Sequence, residues 1–275
     1  MKQIIAHIEK HVSENRLDYN HGLSLFVDYL IDMFDYKQYQ KEGGHELHMQ
    51  HKQEESPMLF NAAFHWVELV KDAMSNNTWI DAFGLVYEAM YQSKSKASNI
   101  GQFFTPKGLS DMLATLCEMR EKKSDKDELK VNDSACGSGR LLVSHFVVSD
   151  RKDGYYVGED IDPLSVKMCA LNMMIHGMRG RAVCHDTLLH PLIYDFGYEV
   201  NEVRYPYPAL LFSLREIKFT KEDLENNNKR MKEQYGDRVK VIKEGVDGDM
   251  LVPMWESKVK EPEIVVEADG QTSFF

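Results

Sequence analysis

The residues best suited to chemistry lie in a glycine-containing loop, Asp133 to Gly139, with the sequence DSACGSG. The loop follows a candidate strand that begins at Lys130 and leads into the apolar run of a candidate helix. Gly137 and Gly139 lack side chains, so the backbone can turn tightly and a ligand can approach closely. Free N–H groups at the start of the following helix favour a carboxylate or a phosphate. The loop therefore predicts a site for a ligand that carries one of these anionic groups.

The loop alone leaves the identity of the ligand open. A nucleotide would fit it, and so would the methionine carboxylate of S-adenosylmethionine. The dinucleotide fingerprint requires a third glycine three residues after Gly139, and Leu142 stands there instead. A nicotinamide cofactor is therefore disfavoured.

Acidic side chains end the next two candidate strands. In the sequence GEDIDP, an acid at the strand end is placed to reach ribose hydroxyls. Glu159 and Asp160 face opposite sides of a strand, so only one of them can take this role. Asp162 precedes Pro163 and suits the N-cap of the next helix, a role compatible with ribose binding by Asp160. Asp186 ends the third candidate strand and either accepts the amine of an adenine ring or caps a turn.

These acids need a fold that brings strand ends together. Between residues 99 and 190 the candidate elements alternate strand–helix–strand–helix–strand, which is typical of a parallel sheet with right-handed crossovers. We predict an α/β, Rossmann-like domain over 99–243, preceded by an α-helical domain over 1–98 and followed by an extended acidic tail over 244–275. The sheet need not be complete.

One polar segment of the helical domain, YQKEGGHELHMQHKQEES, is predicted to be a solvated loop. His45, His48 and His51 are spaced like metal ligands on one helix face, but Gly43 and Gly44 argue against a rigid helix there. No metal site is predicted.

The composition is that of an ordinary globular protein, 43% hydrophobic and 28% charged. No apolar run approaches a membrane span, the N-terminus lacks the build of a signal peptide, and the four widely spaced cysteines favour a reduced, cytoplasmic protein. The net charge of −11 has the wrong sign for a protein that grips DNA unaided. If the chain acts on DNA, another subunit is expected to supply much of the contact.

Taken in order, these motifs resemble those of adenine-specific (N6) DNA methyltransferases. GQFFTP (101–106) is followed by DSACGSG, by GEDIDP with LNMMIHG, and by HDTL. The modification subunit of type I restriction-modification systems is especially similar, since DAFGLVYE (81–88) resembles the end of its helical domain. Four motifs in the family's order are far more specific than any one of them. The resemblance is strong over residues 80–190 and looser before them.

The resemblance implies a Rossmann-like fold with S-adenosylmethionine as cofactor. The methionine end of the cofactor would be lined by Phe103, Phe104, Thr105 and Pro106. Its amino-acid part would be held by Asp133, Ala135, Gly137 and Gly139 of the glycine loop. Its ribose would be bound by Asp160 and its adenine amine by Asp186, the two strand-end acids. The family usually has proline where Ser134 stands and glycine where His185 stands.

The family's catalytic motif does not occur in this sequence. That motif is asparagine or aspartate, then two prolines, then an aromatic residue; its oxygen atoms accept the protons of the adenine amine while the aromatic ring stacks on the flipped base. The corresponding stretch holds Asn201 and the sequence YPYP (205–208), in which no amide or carboxylate precedes the prolines. Asn201 or the YPYP segment would have to act as a substitute.

The missing motif leaves three hypotheses for function, one of which is a helical interaction protein whose former cofactor site is only structural. The other two are a DNA adenine methyltransferase, acting alone or with partner subunits such as a specificity subunit or another methyltransferase subunit, and a non-catalytic subunit that binds cofactor or DNA.

The sequence ends in the peptide QTSFF (271–275) after an acidic stretch. This peptide resembles the motif by which bacterial replication and repair proteins dock on the DNA sliding clamp. Two adjacent aromatic side chains on a mobile tail are unusual unless they fill a pocket, either on a partner or on the domain itself, and the third alternative is that the peptide has no role.

If the peptide docks on the clamp, Gln271, Phe274 and Phe275 make the contact. The variant Phe274→Ala/Phe275→Ala removes both aromatic anchors, so we expect immobilised clamp to capture the wild-type chain and to lose the variant in a pull-down. Equal capture of both proteins would show that the peptide has another role.

Overall fold

A computed structural model describes residues 1–91, 105–120, 129–149, 153–187, 194–201, 212–242, 250–253, 265–266 and 272–273. The chain forms two compact units, Met1–Lys218 and Phe219–Phe275. The predicted domain boundaries at residues 98 and 243 lie outside the described ranges and stay predictions.

The first unit begins with helices, as predicted. They are α1 (Lys2–Glu14), a short 3-10 turn (Tyr19–His21), α2 (Gly22–Met33), α3 (Tyr36–Lys41), α4 (His45–Glu55), α5 (Pro57–Ser75) and α6 (Ala82–Tyr91). The start of α5 shows why helices form where they do. Ser56 accepts a hydrogen bond from the Leu59 N–H, and Pro57 occupies the first helical position, where its missing N–H costs nothing.

The prediction of a solvated loop around the three histidines is wrong, because α4 covers all of them. Gly43 and Gly44 have positive φ values of 86° and 130°, so they form the turn that precedes α4 instead of preventing it. The buried side of α4 is polar: the His48 ring contacts the Asp32 carbonyl at 3.0 Å, and the Lys52 Nζ lies 2.7 Å from the Asp32 carboxylate. An apolar periodicity therefore could not reveal this helix.

The predicted alternation of strands and helices is confirmed. After α7 (Lys107–Arg120) come β1 (Lys130–Asp133), α8 (Arg140–Val148), β2 (Tyr155–Asp160), α9 (Pro163–Ile175) and β3 (Arg179–Cys184). The three strands are parallel and lie in the order β1–β2–β3. Asp133 pairs with Gly158, and Asp160 pairs with Cys184, so the carboxyl ends of the strands meet at one edge of the sheet.

The three predicted strands are parallel, and the sheet becomes mixed through two further strands. β4 (Phe196–Val200) pairs antiparallel with β3, and β5 (Leu214–Ile217) pairs antiparallel with β4. The connection between β3 and β4 is too short for a crossover helix, which a parallel strand would require. Among the described strands the order is β1–β2–β3–β4–β5, which leaves β1 at one edge of the sheet.

One hydrophobic core joins the helices to the sheet. Helix α9 lies within it, since every residue from Ser165 to Ile175 except Lys167 is buried. On one side α9 approaches α2, where the Lys167 Nζ lies 2.6 Å from the Asp28 carboxylate, and on the other side it packs on the strands. The Leu214 N–H at the start of β5 also donates to the Phe34 carbonyl at the end of α2.

Asn201 ties the β4–β5 hairpin to the end of α9. Its side-chain amide donates to the carbonyls of Met174 at 3.0 Å and Met178 at 2.8 Å, and its Oδ1 accepts from the Ser213 N–H at 3.2 Å. Its φ of 52° lies in the left-handed region, which asparagine adopts more readily than most residues. Every polar atom of this side chain is therefore used to hold the fold.

The second unit contains a helix and short strands. Helix α10 (Lys221–Tyr235) begins with a capping box, in which Thr220 and Asp223 exchange hydrogen bonds between side chain and backbone. Strand β6 (Val239–Ile242) pairs antiparallel with β7 (Met250–Pro253), and β8 (Val265–Val266) with β9 (Thr272–Ser273). Short strands therefore occur inside the segment predicted to be an extended tail.

No helix in the described part of the chain is both long enough and apolar enough to cross a bilayer.

Replacing Asn201 should destabilise the first unit. Asn201→Ala removes three hydrogen bonds and strains the left-handed backbone, so we expect the free energy of unfolding to fall by about 3 kcal/mol in urea denaturation. Asn77→Ala is a matched control, because Asn77 has a φ of 53° but an exposed side chain, and it should cost only about 1 kcal/mol. Equal losses in the two variants would show that the Asn201 hydrogen bonds contribute nothing.

Candidate functional site

The loop between β1 and α8 is fixed by hydrogen bonds to the end of β2. The Cys136 N–H donates to the Glu159 carbonyl at 2.9 Å, and the Gly137 N–H donates to the Asp160 carboxylate at 2.8 Å. Within the loop the Gly139 N–H donates to the Cys136 carbonyl at 2.8 Å. The loop is therefore held in one conformation at the edge where the strand ends meet.

Two of the predicted glycines have positive φ values, 52° at Gly137 and 86° at Gly139. A Cβ atom on Gly139 would also lie 2.9 Å from the Cys169 sulfur of α9, and one on Gly158 would lie 2.7 Å from the same atom. Gly139 and Gly158 therefore allow the loop and β2 to pack directly against α9. Packing explains them, in addition to the close ligand approach that the sequence suggested.

Asp133, at the end of β1, has one carboxylate oxygen without a hydrogen-bond partner among the described residues. Its Oδ1 accepts from the Ala135 N–H at 3.2 Å, whereas its buried Oδ2 has no hydrogen-bond partner among the described residues. Burial raises the pKa of the Asp133 carboxyl, and the nearby carboxylates of Asp160 and Glu159 act in the same direction. A buried acceptor without a donor is costly, and a cationic donor would relieve that cost.

Asp160 faces the loop and Asp162 caps the next helix. The Asp160 carboxylate accepts from the Gly137 N–H and, at 2.9 Å, from the Asp162 N–H. The Asp162 carboxylate accepts from the Ser165 N–H at 2.8 Å, which confirms the predicted N-cap of α9. The structure therefore assigns Asp160 a role in shaping the loop, a role that sequence reasoning missed. Its predicted contact with ribose stays a prediction.

Glu159 lies in a separate polar cluster. It accepts from the Asn132 amide at 3.0 Å, and it lies 3.2 Å from the ring of the buried His185. The hydrogen bond from His185 lowers the pKa of the Glu159 carboxyl, against the effect of burial. Of the two adjacent acids, Asp160 is thus the one that contacts the loop.

Asp186 stands where the sequence predicted it, directly after β3. The backbone around it is joined to the other strand ends, because the His185 N–H donates to the Asp160 carbonyl at 3.0 Å. The Thr187 hydroxyl donates to the Ser134 carbonyl at 3.2 Å, which links this segment to the glycine loop. Asp133, Asp160 and Asp186 therefore follow or end three neighbouring strands on one side of the site.

Thr105 and Pro106, the last two residues of the GQFFTP segment, also lie close to the glycine loop. The Arg140 Nη1 at the start of α8 donates to the Thr105 carbonyl at 3.0 Å. Pro106 also lines a cleft of about 390 Å³, whose other lining residues are Trp79, Ile80, Asp81, Leu85, Glu88, Lys107 and Arg140. Phe103 and Phe104 lie outside the described residues, so their predicted contacts with the cofactor stay predictions.

A buried ion-pair network connects α6, the loop and α9. The Asp81 carboxylate, 4% exposed, accepts from the Ser138 hydroxyl at 2.5 Å, the Arg140 Nε at 2.5 Å and the Asn172 amide at 2.8 Å. The Arg140 Nη2 also lies 2.9 Å from the Glu88 carboxylate. Sequence reasoning placed Asp81 and Glu88 in a family-like segment but gave them no role.

Gly84 makes this network possible. Its N–H donates to the Asp81 Oδ1 at 2.9 Å, and a Cβ atom at this position would collide with the Asp81 carboxylate. The sequence DAFGLVYE thus contains both an anchoring acid and the glycine that lets it be anchored. An ion pair between Asp81 and Arg140, the arginine that follows the glycine loop, could have been predicted from the sequence.

Several predicted features lie outside the described residues. They are the YPYP sequence and the C-terminal residues Gln271, Phe274 and Phe275, whose docking on a sliding clamp stays a prediction. Asn201, considered as a substitute for the catalytic amide, is described and uses all its polar atoms within the fold. Across the described ranges no three His, Cys, Asp or Glu side chains form a group that could hold a metal ion.

Similarity to known proteins identifies the family to which this chain belongs. The family described as N-6 DNA Methylase matches residues 78–235, a span that contains the loop, the strand-end acids and the Asp81 network. The chain therefore belongs to the N6 DNA methyltransferase family, which confirms the resemblance drawn from the motifs.

The chain is also similar to curated relatives of one kind, the methylase subunits of type I restriction enzymes. The MpnII type I restriction enzyme methylase subunit of Mycoplasma pneumoniae is 36% identical over 105 residues, which is 36% of this chain and 18% of the relative. The MjaVIII methylase subunit of Methanocaldococcus jannaschii is 28% identical over 143 residues, 50% of this chain and 24% of the relative. The matched region thus spans about a quarter or less of these relatives.

One solved structure is also similar, the methyltransferase subunit of a type I restriction-modification system from Streptococcus thermophilus. It is 16% identical, with a TM-score of 0.37 over 70% of this chain and 62% of that one.

Removing the buried anchor should have a large effect on stability. Asp81→Ala leaves the buried Arg140 guanidinium without its main partner, so we expect the free energy of unfolding to fall by about 3–5 kcal/mol. Urea denaturation followed by circular dichroism measures it. Glu14→Ala breaks an exposed pair with Lys10, with N and O atoms 3.7 Å apart, and should cost under about 1 kcal/mol. A loss at Asp81 no larger than that of this control would contradict the anchoring role.

Proposed function

We propose that this chain binds S-adenosylmethionine at the edge where β1, β2 and β3 end, as part of a DNA adenine-N6 methylation system. Membership of the family supports this proposal, and so does one structural observation in particular. The buried Oδ2 of Asp133 lacks a donor among the described residues, beside a loop whose glycines admit close approach. An α-ammonium group would satisfy that atom.

The amino-acid end of the cofactor fits the glycine loop. Its ammonium group would bind the Asp133 carboxylate, and its carboxylate would meet the positive end of α8, which begins at Arg140. Ala135, Gly137 and Gly139 would form the backbone cradle between these two groups. Thr105 and Pro106, with Phe103 and Phe104 before them, would line the methionine side.

The adenosine end fits the two remaining strand-end acids. Asp160 accepts one hydrogen bond from each of two backbone N–H groups. A carboxylate has about four acceptor positions, so Asp160 can still accept hydrogen bonds from ribose hydroxyls. Asp186 would accept a hydrogen bond from the adenine amine. The three acids would thus bind successive parts of one extended ligand.

Holding the cofactor and transferring its methyl group are separate tasks. S-adenosylmethionine supplies an electrophilic methyl group, and the residues named above bind and orient it. Acceptance of protons from a target adenine requires an acceptor that the sequence lacks in the family's form, and Asn201 is committed to the fold. We therefore propose that methyl transfer requires a partner subunit, which would also supply most of the contact with DNA.

A second candidate is a non-catalytic subunit that binds the cofactor within a larger complex. The absence of the tetrapeptide from the sequence favours it. Both candidates share the cofactor site and differ in turnover.

Calorimetry with S-adenosylmethionine tests the site. Asp133→Asn keeps the shape of the side chain but removes its charge, so we expect affinity to fall about tenfold or more, as for loss of a charge-assisted hydrogen bond. Asp72→Asn removes an exposed acid from α5 and should leave the affinity unchanged. Wild-type affinity should also weaken as the pH falls through the raised pKa of Asp133, since only the carboxylate attracts the ammonium group. Equal affinities of wild type and Asp133→Asn would refute the assignment.

A methyl-transfer assay separates the two candidates. With tritiated cofactor and unmethylated DNA, we expect no incorporation by the chain alone and incorporation when the products of neighbouring genes are added. Incorporation by the chain alone would show that it carries its own proton acceptor. Cofactor binding with no incorporation in any combination would favour the non-catalytic subunit.

A further inference from the structure

Arg140 contacts two walls of the proposed cofactor site at once. It is the first residue of α8, directly after the glycine loop, and its side chain is buried. Two of its nitrogen atoms lie on α6, the Nε at 2.5 Å from the Asp81 carboxylate and the Nη2 at 2.9 Å from the Glu88 carboxylate. The third, Nη1, donates to the Thr105 carbonyl at 3.0 Å. One side chain therefore joins the end of the loop, α6 and the segment that precedes α7.

An arginine is an unexpected residue at this place in a helix. The N-terminal end of a helix carries a partial positive charge, which opposes a cation in the first turn. The first turn of α8 contains no acid that could compensate. Compensation comes instead from α6, through the carboxylates of Asp81 and Glu88. The bond to the Thr105 carbonyl is not needed to balance this charge, and its effect is to fix the segment that carries Thr105.

A second contact holds α7 itself one turn further along α8. The Ser144 hydroxyl donates to the Asp111 carboxylate at 2.6 Å. Arg140 and Ser144 are four residues apart, so they lie on the same face of α8. Ser144 therefore fixes the helix α7, whereas Arg140 fixes the backbone directly before it.

We propose that Arg140 is a positioning residue for the amino-acid arm of S-adenosylmethionine. This inference rests on the proposed function, in which Thr105 and Pro106 line the methionine side and the glycine loop holds the amino-acid part. Because Arg140 joins these two walls, it sets the space between them. Displacement of one wall would weaken the contacts with the arm, since binding contacts depend on precise placement. The adenosine end, bound by Asp160 and Asp186, would keep its contacts.

Lysine cannot replace arginine in this role. A guanidinium is a planar fork that holds partners at several nitrogen atoms, whereas lysine ends in a single ammonium group. In Arg140→Lys we expect the ammonium group to stay beside the Asp81 carboxylate, which keeps the buried charges paired. The bond to the Thr105 carbonyl is then lost. The variant should therefore fold, with its change confined to one wall of the site.

Two ligands that differ only in the amino-acid arm test the proposal. S-adenosylhomocysteine carries this arm on its sulfur atom, and 5′-methylthioadenosine carries a methyl group there. By calorimetry we expect Arg140→Lys to bind S-adenosylhomocysteine about tenfold more weakly than the wild type does, and to bind 5′-methylthioadenosine equally well. Arg215→Lys is the matched control, because it alters an ion pair with Glu199 on strands β4 and β5, and it should change neither affinity.

A merely structural role of Arg140 predicts a different pattern. Arg140→Lys would then lower the free energy of unfolding in urea and leave the ratio of the two affinities unchanged. Equal losses for both ligands, or no loss for either, would overturn the proposal. The loss should also be smaller in the Asp133→Asn background, because the arm has then already lost the contact that Arg140 helps to align. A wild type that binds neither ligand would refute the cofactor site itself, so the two failures are distinguishable.

Discussion

The proposed cofactor site depends on one buried carboxylate, that of Asp81. Three side chains converge on it: a serine inside the glycine loop, the arginine that begins α8 and an asparagine of α9. A buried charge is tolerated only when it is paired and hydrogen-bonded, so each of these partners is held in place by the same need. Because Asp81 directly precedes α6, the helical region determines the position of a loop that lies more than fifty residues further along the chain.

This arrangement explains why the helices and the sheet share one core. Asp81 fixes the loop from the side of the helices, while the backbone of β2 and the Asp160 carboxylate fix it from the side of the sheet. Asp133 begins the same loop, and its Oδ2 has no hydrogen-bond partner among the described residues. The loop is therefore held from two sides. A positively charged group of a ligand would contribute most to binding at the Asp133 Oδ2.

Much of this fold could be predicted from the sequence, because parallel strands and their crossover helices leave clear apolar patterns. The strand–helix alternation, the Asp162 and Thr220 caps and the grouping of Asp133, Asp160 and Asp186 were all predictable. Helix α4 was not, because its buried residues are His48 and Lys52 and their partners lie on another helix. The antiparallel β4–β5 hairpin and the role of Asp81 depend on contacts distant in sequence, which no local pattern records.

The burial of α9 has a consequence for how the site can move. Nearly every residue of this helix is covered, and Cys169 and Asn172 on it support the loop. Amides in such a position exchange with solvent only when the surrounding unit unfolds as a whole. The floor of the site therefore cannot open by a local fluctuation. A ligand bound there would raise the stability of the whole first unit by mass action, and slow hydrogen exchange far from the loop would report its binding.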